Sequence, residues 1–197
     1  MKHFLPKNLL VKLSLLVIVL VSSAFTLKIK DEKPDKVCFF GYSTLKSNGR
    51  NGLHFAWSAD QKNWFAIGPE HSFLKSDYGS WGPTGKCMTE PFFIKDDEGI
   101  FHCLWSVNDD VFAHASSKNL INWKSQNYVQ AMKGLETGEK PIIKDVKVSR
   151  KNGQYVIHWI SDNKNYSNTT KDFKNYSATT IDTESLPSRT EITLQGQ

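Results

Sequence analysis

Three carboxylates stand where apolar strands begin. Glu90 sits directly before Pro-Phe-Phe-Ile in CMTEPFFIKDDEGIFHCLWS, residues 87 to 106, and Glu191 repeats the Thr-Glu start in RTEITL, residues 189 to 194. Asp145 stands 14 residues before Trp159, much as Glu90 stands 15 before Trp105. A carboxylate buried among apolar side chains carries a large desolvation cost, which one at the hydrated end of a strand avoids. Grouped at such ends, two carboxyls can do acid–base work: one protonates a leaving oxygen while another activates water. Inverting glycoside hydrolysis separates such a pair by about 6.5–9.5 Å. Trp81, in the Gly/Pro loop DYGSWGPTG ahead of Glu90, is placed to stack on a sugar ring or to cover an edge of the fold.

The elements that must position these groups are visible as a repeat. AWSADQKNW (56 to 64), HASSKNLINW (114 to 123) and SNTTKDFKNY (167 to 176) each run from a short strand ending in Ser or Thr, through a polar turn, to Asn and an aromatic residue. Ahead of two copies, GIFHCLWS (99 to 106) and GQYVIHWIS (153 to 161) place Trp six residues after Gly. KVCFFGYS (36 to 43) is a divergent first copy. The preceding turns KDDEG and SRKNG are hairpin chemistry, because Gly accepts the positive φ that such turns need. Alternation in Phe101, Cys103, Trp105 and in Tyr155, Ile157, Trp159 turns one face of each strand inward. Trp57, Trp105 and Trp159 read as core residues.

The unit is therefore four antiparallel strands with a period of about 53 to 59 residues, which is a β-propeller blade. A plain β-sandwich is the structural alternative. About three blades fit, where propellers typically have four to eight. The first blade is expected to lack its innermost strand, and RTEITLQGQ to be the inner strand of a blade whose remainder is absent. An oligomer would cover the open blade edges. In such a fold the inner strands run side by side in one direction, so Glu90, Asp145 and Glu191 are expected at one mouth of the channel.

Outside residues 37–197 the chain reads differently. MKHFLPKNLLVK carries three lysines and no acid, and the 13 apolar or small residues LSLLVIVLVSSAF follow. With Ser22 and Ala24 small, residues 1–24 read as a secretory signal cleaved after Ala24, too short for a membrane span. Residues 25–36 are a charged, Pro-containing linker. The protein is accordingly expected to be secreted or periplasmic, and off the membrane after cleavage. The formal charge of +5 falls to +2 without the leader, and no Lys/Arg run suited to nucleic acid appears. Cys38, Cys87 and Cys103 are odd in number and lack metal-ligand spacing, so one pair either bridges or does not. His54, His71, His102, His114 and His158 are scattered too, and neither a metal nor a cofactor is expected. Asn165, Asn168 and Asn175 head glycosylation sequons, and no Gly-x-Ser-x-Gly nucleophile signal occurs.

GLHFAWSADQKNW, FLKSDYG, MTEPFFIKDDEGIFHCLWS, HASSKNLINW and TTKDFKNYS together resemble glycoside hydrolase family 43, secreted five-bladed propellers acting on arabinose- and xylose-containing glycans. The likeness runs from about residue 37 to 183, the first half of a full family domain. It implies that Glu90, where the family has Asp, orients the acid and tunes it. It implies that Asp145, where the family has Glu, donates the proton. The family's general-base Asp has no match here. The resemblance thus implies an inverting O-glycosyl hydrolase of the arabinofuranosidase or xylosidase type; Trp81, from its loop, and Glu191, from its Thr-Glu start, are the expected substrate-binding residues. The competing reading is a catalytically degenerate carbohydrate-binding or structural propeller fragment.

Overall fold

A computed structural model of the protein describes residues 36–44, 51–77, 87–109, 111–129, 142–184 and, for backbone only, 192–195. All fall within one unit, Pro34–Gln197. The expected leader and nearly all of the linker lie outside the described residues, as do Trp81 and Glu191.

Every described element is a strand. They are β1 (Lys36–Ser43), β2 (Leu53–Ser58), β3 (Phe65–Ile67), β4 (Thr89–Lys95), β5 (Phe101–Val107), β6 (Val111–Ser117), β7 (Asn127–Val129), β8 (Lys144–Lys151), β9 (Gln154–Ser161), β10 (Lys164–Thr170), β11 (Thr180–Ile181) and β12 (Ile192–Gln195). They form three four-stranded antiparallel sheets: β12-β1-β2-β3, β4-β5-β6-β7 and β8-β9-β10-β11. These are the blades of a partial propeller. The outer edges β3, β7 and β11 are only two or three residues long, which limits the unpaired backbone they offer to other chains.

One expectation is corrected. β12 does not begin a separate, incomplete blade; it pairs antiparallel with β1, Lys36 opposite Gln195 through Phe39 opposite Ile192. Without it the inner edge of β1 would leave backbone N–H and C=O groups unpaired, and β12 satisfies them. The first blade thereby gains the innermost strand that residues 36–67 lack.

The second blade is a wall between two cores. Both faces of β5 and β6 are buried along their whole length. Phe101, Cys103, Trp105 and Val107 join Leu53, Phe55 and Phe39 of the first blade. Leu104, Phe92 and Phe112 join Ile157, Trp159 and Tyr166 of the third. Trp105 and Trp159 are fully enclosed, and Trp57 packs at the margin of the first core. All three cysteines are free thiols. Asn168 is 2 % exposed and accepts a 2.9 Å hydrogen bond from Trp159 Nε1, so its sequon is closed in the folded protein.

The repeated turn explains how the blades lock. Asp60 Oδ1 accepts from the backbone N–H groups of Lys62 and Asn63 at 2.9 and 2.8 Å, and Asp172 Oδ1 from Lys174 and Asn175 at 2.9 and 2.8 Å. Asn119 does the same with Ile121 and Asn122. These bonds hold the carboxyls of Asp60 and Asp172 well below the usual range. They also bend the next residue into left-handed backbone: Gln61 (φ 60°), Leu120 (φ 63°) and Phe173 (φ 55°). Leu120 thereby enters the core between the first and second blades, and Phe173 the core between the second and third. Among the described residues Gln61 has no such core to enter, and its Nε2 instead donates to Cys38 Sγ at 3.1 Å.

Gly41 marks a close approach of the first two blades. A Cβ there would lie 2.2 Å from Phe93 Cζ and 2.9 Å from Leu53 Cδ1, both on enclosed side chains. Gly41→Ala is expected to destabilise the fold by about 1–3 kcal/mol through overpacking. An unchanged urea midpoint would show that the blades do not meet there.

Candidate functional site

Glu90 and Asp145 occupy equivalent places in two blades. In β4 the register passes from Thr89 opposite Ser106 to Phe92 opposite Leu104, so Glu90 and Pro91 together face Trp105. In β8 it passes from Lys144 opposite Ile160 to Lys147 opposite His158, so Asp145 and Val146 together face Trp159. Each blade thus carries a β-bulge at the start of its inner strand, a device that re-aims side chains. Both carboxylate residues sit in left-handed backbone, Glu90 at φ 49° and Asp145 at φ 52°. A side chain other than glycine is uncommon there, and such strain persists only where the surroundings enforce it.

Part of that enforcement is on view. Ser106 Oγ donates to the carbonyl of Ile143 at 2.5 Å, and the N–H of Ile143 donates to the carbonyl of Asp109 at 2.9 Å. The second blade thus fastens the chain just before β8 begins, which sets Asp145 beside the head of β4.

The two carboxylates line one cavity of about 260 Å³, together with Phe40, Gly41, Tyr42, Ser43, Pro91, Phe92, Val146 and Lys147. The end of β1 and the heads of β4 and β8 therefore converge. Glu90 is exposed and Asp145 half-buried. Lys147, whose side chain is 13 % exposed, donates from Nζ to Asp145 Oδ2 at 2.7 Å. β12 starts at Ile192, opposite Phe39, the residue before the cavity-lining Phe40. Sequence reasoning did not single out Lys147 or Tyr42; the signal for Tyr42 was its place in the divergent copy KVCFFGYS.

A second polar cluster lies at the far end of β4, about 20 Å away at roughly 3.3 Å per strand residue. Asp96 Oδ2 accepts from His102 Nε2 at 3.0 Å, and His102 Nδ1 meets His114 Nε2 at 3.0 Å. Because the carboxylate takes the proton on His102 Nε2, neutral His102 accepts at Nδ1 and His114 donates from Nε2. Phe173 stacks on His114 with ring centroids 4.0 Å apart and planes 1° from parallel. Burial and the neighbouring His102 push His114 down to about 3. Burial also lowers His102, against the raising effect of Asp96 and with Lys124 and Arg150 adding to the fall. Burial pushes Asp96 up, yet the bonds from His102 and from the N–H groups of Ile100 and Glu98 outweigh it and hold the carboxyl below its usual range.

Ser149, His158 and Asp182 are joined in the order hydroxyl, imidazole, carboxylate. His158 Nε2 lies 2.9 Å from Ser149 Oγ, and its Nδ1 meets Asp182 Oδ2. The three line neither the mouth cavity nor the groove beside His114, and His158 is 4 % exposed. They tie β8 and β9 to the segment after β11.

No family model matches the chain, and no curated protein matches it. Solved structures do. A candidate glycosidase from Bacteroides thetaiotaomicron superposes with a TM-score of 0.50 at 16% identity, covering 75% of this chain and 47% of that one. A glycosyl hydrolase from Bacteroides ovatus gives 0.50 at 16% identity, covering 75% and 46%. A third, at 0.50 and 16% identity with 73% and 45% covered, is described with the GH130 family of mannoside phosphorylases, which contains glycoside hydrolases that target β-1,2 mannosidic linkages in Candida mannan. The chain spans about half the length of these structures. They support a glycoside hydrolase-like fold and do not single out family 43.

The histidine pair predicts a pH dependence. Both histidines titrate lower folded than unfolded, so their neutral-state contribution is full above about 6.5 and is lost as pH falls below it. The facing groups are Asp96, Lys124, Arg150 and Tyr155, and the bonds to Asp96 hold its carboxyl below the usual range. Urea unfolding between pH 7 and 4.5 is expected to lose up to about 1.4 kcal/mol per pH unit for His114, with His102 adding in the same direction. His114→Gln should flatten that slope, and an unchanged slope would contradict the assignment.

Proposed function

We propose that the protein is an exported, glycosidase-type carbohydrate-active protein whose mouth cavity seats one sugar unit of an arabinose- or xylose-containing glycan. The observation that carries this reading is the pair of equivalent carboxylates, each strained on a bulge, facing one cavity beside Tyr42 and Phe40. Carboxylates fix hydroxyl groups by charge-assisted hydrogen bonds, and aromatic side chains cover sugar faces. The cavity of about 260 Å³ lies just under the usual range of ligand clefts, in keeping with a single sugar unit.

In this reading Asp145 donates a proton to the glycosidic oxygen and Glu90 orients it. Water attacks from the opposite face, so the anomeric centre inverts. Trp81 and Glu191 border the sugar from segments outside the described residues. Export rests on the charged, apolar and small-residue order of residues 1–24.

Binding without turnover is the second reading, and Lys147 favours it. Its largely buried ammonium takes up one oxygen of the proposed acid, and among the described lining residues no third carboxylate stands ready to activate water.

Aryl arabinofuranosides and aryl xylosides decide between the two. If Asp145 is the general acid, Asp145→Asn lowers kcat/KM by about 10²–10⁴-fold while the melting temperature holds, because Asn still accepts from Lys147. No turnover by the wild type, with xylo- or arabino-oligosaccharide binding intact, establishes the binding reading. Neither turnover nor binding removes the cavity from consideration. N-terminal sequencing of protein recovered outside the cytoplasm is expected to begin at Phe25; an intact Met1 on membrane-bound protein overturns export.

A further inference from the structure

The larger cavity is not the one that holds Glu90 and Asp145. A groove of about 840 Å³ lies between the second and third blades, against the Asp96–His102–His114 chain. That volume falls within the roughly 300–1,000 Å³ of ligand clefts. Three features of its lining point to an occupant.

The first is an incomplete hydrogen-bond inventory. His114 is 6 % exposed and its Nδ1 meets no protein group, while Nε2 is committed to His102. Trp123 Nε1 is likewise buried without an acceptor. Buried polar groups are normally satisfied, so a free acceptor and a free donor on one groove wall are exceptions that need a reason. Both atoms are closed to water, and a ligand reaches them only with a small side-chain shift of the kind common on binding.

The second is charge. Lys124, Lys171 and Lys174 line the groove, exposed and without an ion pair among the described residues. Three carboxylates balance them. Asp96 and Asp172 are consumed internally, by His102 and by the turn after β10, and Glu98 is left open. A lining with donors and acceptors in equal charge suits a neutral ligand whose groups both donate and accept. The third is Trp123, a half-buried aromatic whose ring forms part of the wall.

We propose that this groove is a second carbohydrate site, binding several units of a neutral, hydroxyl-rich oligosaccharide at the opposite end of β4 from the mouth cavity. Vicinal hydroxyls meet the lysines, Glu98 and the two unfilled ring nitrogens, and a sugar face lies on Trp123. The site does not depend on hydrolysis at Asp145. It takes its general ligand class from the reading above, so the experiment must separate the two places.

Titration of the ¹⁵N-labelled protein with xylohexaose and with arabinohexaose, followed by ¹H–¹⁵N spectra, does so. For at least one sugar, saturable shifts are expected at the Trp123 indole N–H and at the amides of residues 96–100, 123–127 and 171–174. They should persist in the Glu90→Gln/Asp145→Asn variant. The triple variant Lys124→Ala/Lys171→Ala/Lys174→Ala changes only exposed side chains, so it should keep its melting temperature and bind at least tenfold more weakly. Shifts confined to residues 40–43, 90–92 and 145–147 would place all binding in the mouth cavity and overturn the proposal. So would the absence of saturable shifts with both sugars, an unaffected affinity in the triple variant, or tighter binding of hexagalacturonate than of the neutral sugars.

Discussion

The rest of the structure hangs on the burial of the second blade on both faces. A sheet with one wet face can slide or tilt at modest cost, but one enclosed on both sides must match two cores at once. β5 and β6 have no solvent-exposed face: Phe101, Cys103 and Trp105 serve one core, Leu104 and Phe112 the other. A one-residue slip in register would exchange the two sets, placing small residues where large ones fit and the reverse. That fixed wall holds β4 between the blades, and the head of β4 carries Glu90.

The histidine chain belongs to the same constraint. His102 and His114 are even-numbered residues of β5 and β6, so they point toward the third blade, where an apolar side chain would be the default. The protein instead stacks them beneath Phe173 and grounds them on Asp96. Neutral imidazoles fill that space much as an aromatic ring does, while adding polarity at a blade junction.

Much of this was legible in the residues, and the limits have physical causes. A strand ending in Ser or Thr, a polar turn, and Asn with an aromatic ring identified all three turns, because local hydrogen bonds of that kind are written locally. The equivalence of Glu90 and Asp145 could be read from their spacing to Trp105 and Trp159. The pairing of β12 with β1 could not, since no local pattern states which distant edge a strand completes. Nor could Asp96, His102, His114 and Phe173, which are scattered in sequence and are joined only by packing between blades. Lys147 was not singled out, because only the folded strand shows its Nζ meeting Asp145 Oδ2.

The pairing of β12 with β1 has a consequence for how the molecule comes into being. Phe39 and Ile192 share a ladder although about 150 residues separate them, so the contact cannot form until the chain has been made as far as β12. Closing so long a loop costs entropy and slows assembly. Until residues 192–195 are made β1 waits with its inner edge unpaired, and an unpaired edge is a template for any strand that fits it. A neighbouring chain carries the same Ile192–Gln195 segment and can donate it in place of the chain's own. The topology thus makes completion of the first blade depend on a strand from far along the chain.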